Sequence, residues 1–436
     1  LPHSEDLLIR NALQVVTCEP ALFDSEDEGA RPLGLIDDAS VLISAGEVKW
    51  VGRTSDLARE ASGLSRVIDA SGKVVLPGLV DAHTHTVFAG TREREYEMRV
   101  MGADYMEIAR SGGGINSTVA SVRQADLDDL IDLGLARVRS MLRRGTTTVE
   151  IKSGYGLDTE NEIKMLRAIR EIGLRSEADV VPTFLGAHEV PPEYRSDRDR
   201  YIDIVMEEMI PAVGRESLAE FCDVFCEKGV FTADEARRIL LKGSEHGLRP
   251  MIHADEFADS GAADVAAEVG AVSAAHLAYA SEDGLRAMSA AGTVAIVLPG
   301  VSVGVGKCDF ADARGMIEMG VDVAVGTDFN PGSSMVDSLL IVASLACSFM
   351  KLTPAEAILG ITRHAARAIG RGDSVGSLAP GMQADLVLFQ APDFRYVPYH
   401  FGGDIVHAVI KKGEMVFSKA QDEGPDGRNS GAETEH

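Results

Sequence analysis

Val74-Val75-Leu76-Pro77-Gly78-Leu79-Val80-Asp81-Ala82-His83-Thr84-His85 is an apolar run that ends in two histidines one residue apart. Near-continuous apolar character marks a strand buried on both faces. Seven further β-like runs follow, at 146–153, 179–187, 221–228, 249–256, 271–279, 293–300 and 321–329. Helical patterns lie between them. Thr159 with Glu162 reads as a capping box that opens a helix with Ile163, Leu166, Ile169 and Ile172 on one face and Gly173 as its stop. Thr232 with Glu235 repeats the device before Ile239 and Leu240. Eight strands alternating with helices predict an α/β fold, a (β/α)8 TIM-type barrel over residues 74–365. The rival, a doubly wound open sheet, normally carries a Gly-rich phosphate turn after its first strand, and this sequence has none there.

The flanks read differently. Residues 7–73 hold short β-like runs at 41–44, 48–52 and 67–69, and residues 375–420 hold three more at 384–389, 406–410 and 414–417. They predict a smaller, discontinuous β-rich domain built from 1–73 and 366–420. The polar tail at 421–436 reads as disordered.

Composition bounds the function. The chain has 436 residues, 45% hydrophobic and 25% charged, the balance of a soluble globular protein. Lys and Arg number 42 against 68 Asp and Glu, a net charge of −26, which argues against nucleic acid or an anionic membrane as partner. An anionic small molecule stays open, because one buried Arg outweighs a distant field. The five cysteines (Cys18, Cys222, Cys226, Cys308 and Cys347) are too few and odd in number for a disulfide framework, and read as buried reduced thiols in a cytoplasmic protein. No basic and apolar leader is seen at the N-terminus, and no apolar stretch is long enough to span a membrane.

The chemistry concentrates at strand ends. Residues i and i+2 of a strand share a side, so His83 and His85 present two imidazoles together where a barrel keeps its active site. His188, His253, His276 and Asp328 end later runs, and Glu256 follows His253 by three residues. A solvated or packing role would scatter such residues over both barrel ends. Imidazoles with a carboxylate suit zinc or iron(II), with water completing the shell. Such a metal lowers the pKa of its water, and a second carboxylate moves protons to a leaving nitrogen. Hydrolysis of an amide or amidine is the expected reaction.

Longer stretches carry a resemblance. They are 83–92 continuing through Glu95, Ser111-Gly112-Gly113-Gly114-Ile115, 146–156 with its Ser153-Gly154-Tyr155-Gly156, 183–188 with Pro191-Pro192-Glu193-Tyr194, His253-Ala254-Asp255-Glu256, and 326–334. These resemble the amidohydrolase superfamily and, within it, the imidazolonepropionase family, over about residues 9–417. The resemblance implies hydrolytic ring opening of 4-imidazolone-5-propanoate to N-formimidoyl-L-glutamate in histidine degradation. It implies one divalent metal, zinc or iron, held by His83, His85, His253 and Asp328. It implies a substrate pocket of Arg92, Tyr155, His188, Glu256, Asn330, Gly332 and Ser333, with catalysis by Glu256, His276 and Asp328. Glu256 is the expected general base and acid. A fork-shaped guanidinium at Arg92 suits the propanoate tail. A homodimer is the generic expectation.

Plainer readings stand beside these. Arg92-Glu93-Arg94-Glu95 alone is a solvated, salt-bridged segment, Lys152 is structural, Tyr155 is a turn aromatic, and Asn330-Pro331-Gly332 is turn chemistry. The remaining histidines match no ligand position. The stretch 301–306 is small and Gly-rich where the family places bulky aromatics, which predicts a looser pocket wall. The alternative enzyme is a related deaminase or cyclic-amide hydrolase acting on another small heterocycle. A non-catalytic scaffold would usually have lost ligands or the proton carrier, and here every candidate is present.

Overall fold

The computed structural model describes residues 6–22, 27–57, 64–103, 107 and 113–422. The tail assigned to disorder lies, from 423 onward, outside the described residues, as do Ser111 and Gly112.

The strands are β1 (Leu7–Val16), β2 (Leu35–Ser44), β3 (Glu47–Arg53), β4 (Arg66–Asp69), β5 (Val74–Pro77), β6 (Leu79–Asp81), β7 (Thr146–Lys152), β8 (Asp179–Ala187), β9 (Phe221–Cys226), β10 (Arg249–Ala254), β11 (Ser273–His276), β12 (Val294–Val297), β13 (Val323–Val325), β14 (Leu386–Phe389), β15 (Val406–Lys411) and β16 (Glu414–Ser418). β6 to β13 form one eight-stranded sheet in sequential order, every pair parallel. Its two edges meet. His83 O accepts from Asp328 N and Phe329 O from His85 N, both at 3.0 Å, so the sheet is a barrel closed beside the paired histidines. Asp81 reinforces the seam by accepting from Thr327 N (3.1 Å) and Thr327 Oγ1 (2.6 Å). Burial pushes the Asp81 carboxyl up to about 7, against those hydrogen bonds.

Alternation within β9 shows why these strands read as continuous apolar runs. Phe221 joins the cluster filling the barrel with Val80, Val181, Met251 and Ile296. Cys222, Val224 and Cys226 face the other way, into the layer between barrel and helices. The C-x3-C pair is therefore packing: both thiols are buried and free, and burial pushes that of Cys226 up to about 12. Cys308 departs from the expectation for the thiols, being exposed.

The flanks share a second, mixed sheet in the order β16-β15-β14-β5-β1-β2-β3, with β4 also pairing β1. The run 74–85 thus divides. β5 pairs antiparallel with β14 in the flank sheet, and only β6 enters the barrel. Gly78 sits at the division, where a Cβ would collide with the Thr147 side chain. Lys411 Nζ binds the two sheets together, 2.6 Å from Asp385 Oδ2 and 2.7 Å from Asp179 Oδ2 at the head of β8.

Of the two expected capping boxes, one forms. Thr232 and Glu235 do form a capping box. The helix Thr159–Arg175 is instead capped by Asp158, whose Oδ1 accepts from Asn161 N at 2.8 Å, while Glu162 is turned away to other partners. Gly173 does not stop this helix: it lies inside it, against Val180, where a larger side chain would press on β8.

Candidate active site

The closed end of the barrel gathers the predicted residues. His83 and His85 project together, with ring centroids 5.5 Å apart, while Thr84 between them turns back to donate to Glu150 O at 2.7 Å. That is the period-two alternation of a strand. His253, from the end of β10, lies 4.5 Å from His83 and 5.5 Å from His85, centroid to centroid. One ligand nitrogen from each of the three can be chosen so that all lie within 4.8 Å of one another. Asp328 Oδ1 is 3.5 Å from His83 Nε2 and 3.4 Å from His85 Nε2.

The chemistry of this set is incomplete without a cation. His83 Nε2, His253 Nε2 and Asp328 Oδ1 are buried and have no hydrogen-bond partner. Each such orphan costs about 1–3 kcal/mol. Burial holds His83 and His85 well below the usual histidine range, as neutral imidazoles with lone pairs to give. It raises the Asp328 carboxyl, and Glu256 adds to the effect. Three imidazoles and a carboxylate, all buried, fit zinc or iron(II).

Backbone strain collects at the same place. Asp255, His276, Leu277 and Asp328 have φ of 51°, 72°, 59° and 47°. Left-handed backbone at non-glycine residues costs about 1–3 kcal/mol each and concentrates at functional sites.

A buried polar network lies beneath the cluster. Asp223 Oδ1 accepts from His253 N at 3.1 Å, which holds the backbone at the end of β10, and Asp223 Oδ2 lies 3.1 Å from His253 Nδ1. Lys152 Nζ sits 2.9 Å from both Asp223 Oδ2 and Glu150 Oε1. It is spoken for by these carboxylates, in line with the structural reading. Lys152→Met leaves two buried carboxylates uncompensated and should lower unfolding free energy by about 3–5 kcal/mol, read from denaturant midpoints. An unchanged midpoint would show the network carries no charge. Sequence reading passed over Asp223 and Glu150; for Asp223 a lone acid inside an apolar strand was the available signal, and for Glu150 the charge of Lys152 two residues on, on the same strand face.

A cavity of about 760 Å³ opens above the cluster and is lined by every predicted substrate-pocket residue. His188 stacks on His85 at 5.1 Å, and its Nδ1 lies 2.9 Å from Gly154 O. Tyr155 is 5.7 Å from His85 and 5.5 Å from His188, ring to ring. Burial, with His253 second, pushes His188 down to about 3. Glu256 Oε2 lies 3.7 Å from His276 Nε2, and its side chain is 15% exposed. Burial and then Glu227 push the Glu256 carboxyl up to about 8. A carboxyl so tuned can both take and give a proton near neutrality.

The rim carries the positive charge. Arg92 Nε and Nη2 fork onto Glu95 Oε2 at 2.8 and 2.7 Å, with the Arg92 side chain 16% exposed. The salt bridge of the plainer reading is present, but it lines the cavity rather than standing in solvent. Gly332 packs on the free edge of this guanidinium, where a Cβ would collide with Nη1. Asn330 is occupied in shaping the turn: its Oδ1 accepts from Gly332 N and Ser333 N, both at 2.8 Å, and its Nδ2 donates to Asp328 O at 2.7 Å. Arg99, a second guanidinium at the cavity, was not singled out from the sequence. Its Nη2 donates to Gly332 O at 2.9 Å. It lies seven residues after Arg92, two helical turns on in the helix Glu93–Val100, a spacing that puts both on one face.

The Gly-rich stretch after Gly300 begins as a helix rather than an open loop. Pro299–Gly304 is a short helix, and Gly304 abuts the Ser333 carbonyl, which a Cβ would strike. Small residues there let the helix dock on the turn that carries Asn330. Val301 and Val305 give the cavity an aliphatic side.

Comparison with known proteins agrees with this geometry. Residues 74–416 match the sequence model of the amidohydrolase family. The chain is 48% identical to the imidazolonepropionase of Geobacillus thermodenitrificans, over 95% of this chain and 99% of that one. It is 46% identical to the imidazolonepropionase of Shouchella clausii, over 95% and 93%. Among solved structures it superposes on the zinc complex of an atrazine chlorohydrolase from Arthrobacter aurescens with a TM-score of 0.71 at 18% identity, covering 94% of this chain and 95% of that one. The guanine deaminase of E. coli gives 0.71 at 18%, covering 95% and 100%. At such identity these two show the fold alone. Among the described residues no helix is long and apolar enough to cross a membrane.

Proposed function

Because this chain belongs to the amidohydrolase family and, within it, to the imidazolonepropionases, we propose that the cavity opens the ring of 4-imidazolone-5-propanoate to N-formimidoyl-L-glutamate. The observation that carries this is the convergence of His83, His85, His253 and Asp328, with their orphaned buried atoms, under a cavity that ends at Arg92. These four would hold one divalent ion, zinc or iron. Bound there, such an ion acts as a Lewis acid and eases deprotonation of water at neutral pH.

The protein's own residues do the rest. Arg92 and its neighbour Arg99 receive the propanoate and fix which end of the ring points inward. Tyr155 and His188 flank the ring. Asn330, Gly332 and Ser333 form the wall opposite, and Asn330 holds Asp328 from behind. Water adds to the ring carbonyl carbon, and His276 stabilises the charge that develops on the carbonyl oxygen. Glu256 takes the water's proton and delivers it to the ring nitrogen as the carbon–nitrogen bond breaks. Glu227 and the buried surroundings keep the Glu256 proton affinity near what both transfers require. The free thiols and the small anionic substrate support a cytoplasmic setting, and a symmetric homodimer is the assembly we infer on general grounds.

Purified protein should carry one tightly bound transition metal per chain. Chelation should abolish turnover of imidazolonepropanoate, and zinc or iron(II) should restore it. Two metals per chain bridged through Lys152, or undiminished turnover by metal-free protein, would overturn the mononuclear reading.

A further inference from the structure

We propose that Glu162 is a positioning residue for substrate binding: it holds the 153–157 turn so that Gly154 fixes the tautomer of His188 and Tyr155 faces the cavity. This rests on the reading of Tyr155 and His188 as substrate-binding residues given above.

Glu162 lies in the first turn of the helix Thr159–Arg175, fully buried. Its Oε2 accepts from Gly154 N at 3.0 Å, and its Oε1 accepts from Gly156 N at 2.8 Å and Leu157 N at 2.9 Å. One carboxylate thus gathers three amides of a single turn. Arg123 takes the turn's carbonyls from the other side, donating from Nε to Gly156 O at 2.7 Å and from Nη2 to Leu157 O at 3.1 Å. The backbone needs this hold, because Gly154 and Leu157 both have positive φ, 107° and 53°. Gly156 lies so close to the helix start that a Cβ would collide with Glu162 N.

The consequence reaches the cavity through Gly154. Its carbonyl lies 2.9 Å from His188 Nδ1. A carbonyl oxygen only accepts, so this contact selects the Nδ1–H tautomer of His188, in which Nε2 is the acceptor. A ring N–H of the substrate is the group such an acceptor recognises. Tyr155 stands between the two ends of the clamp, so the same carboxylate sets where its ring lies.

Glu162→Gln tests this with nearly unchanged shape. An amide offers one acceptor and one donor, so one end of the clamp must face N–H to N–H. The variant should fold and retain its metal, checked by circular dichroism and elemental analysis. KM for imidazolonepropanoate should rise roughly 10- to 100-fold, the range expected for unmaking a buried hydrogen bond, with kcat changed much less. Ring ¹⁵N shifts of His188 in histidine-labelled holoenzyme should move away from a pure Nδ1–H form. Glu162→Asp keeps the charge but is too short to span both ends. It should give a smaller change in the same direction, and it serves if Glu162→Gln does not fold. An unchanged KM with unchanged His188 shifts overturns the proposal, as does an equal fall in kcat with KM unaltered. His188→Asn and Tyr155→Phe separate the two levels. If they leave KM unmoved, the pocket reading fails, and the ¹⁵N shifts alone then judge whether Glu162 holds His188. If they raise KM while Glu162→Gln does not, only the role of Glu162 falls.

Discussion

Glu256→Gln should lower kcat by roughly 10²–10⁴-fold, the usual worth of a general acid–base group, while the metal stays bound. The glutamine keeps the size of the side chain and its contact with His276, and removes only the ability to carry a proton. Glu256 stands apart from the cluster of metal-competent donors, so their set is intact in the variant. The pH profile should change with the rate. Burial pushes Glu256 up to about 8, and a cation held in the neighbouring cluster would draw it back toward neutrality. As the base, Glu256 must be ionised, so kcat/KM should rise with pH through its titration. That limb should be missing after Glu256→Gln. Near-normal turnover by the variant would move the proton to Asp328 or another group.

Arg92→Ala should lower kcat/KM by roughly 30- to 3000-fold. Losing a charge-assisted contact with a desolvated carboxylate costs about 2–5 kcal/mol, at 1.4 kcal/mol per tenfold. The structure sharpens the expectation. Glu95 already occupies Nε and Nη2, so a carboxylate bound by Arg92 would be met from its Nη1 side, near Gly332 and Arg99. Glu95 therefore aims the guanidinium, and Arg92→Lys, a point charge without a fork, should recover only part of the loss. If the contact is equally strong in ground and transition states, the loss falls mainly on KM. An analogue without the carboxylate should be nearly indifferent to the substitution. An equal penalty on both substrates would make Arg92 structural, a partner for buried Glu95 and no more.

The parts of this molecule that follow local rules were legible in the sequence. Alternation along a strand put His83 and His85 on one side, and apolar runs placed their partners at one end of a barrel. The parts that depend on which elements become neighbours were not. Pro77-Gly78 is a local break signal within 74–85, but that the segment before it leaves the barrel depends on β14, about three hundred residues on, returning to pair with β5. Thr159 and Glu162 have the spacing of a capping box, but Asp158 caps one residue earlier and the buried turn claims Glu162. Arg92 in an alternating run of charge reads as solvated because the cover it gains from Gly332 comes from the other edge of the sheet, which only barrel closure brings alongside. The Lys152, Glu150 and Asp223 network needs three strands in register before its charges meet.

The central claim is that this site hydrolyses a carboxylated imidazolone at a single metal. The most direct measurement is the reaction itself, with purified protein of known metal content, imidazolonepropanoate as substrate and the product identified by mass. Stoichiometric N-formimidoyl-L-glutamate, formed by protein holding one metal per chain, is the predicted result. No turnover of this substrate, with hydrolysis or deamination of a heterocycle lacking the propanoate tail, would contradict it.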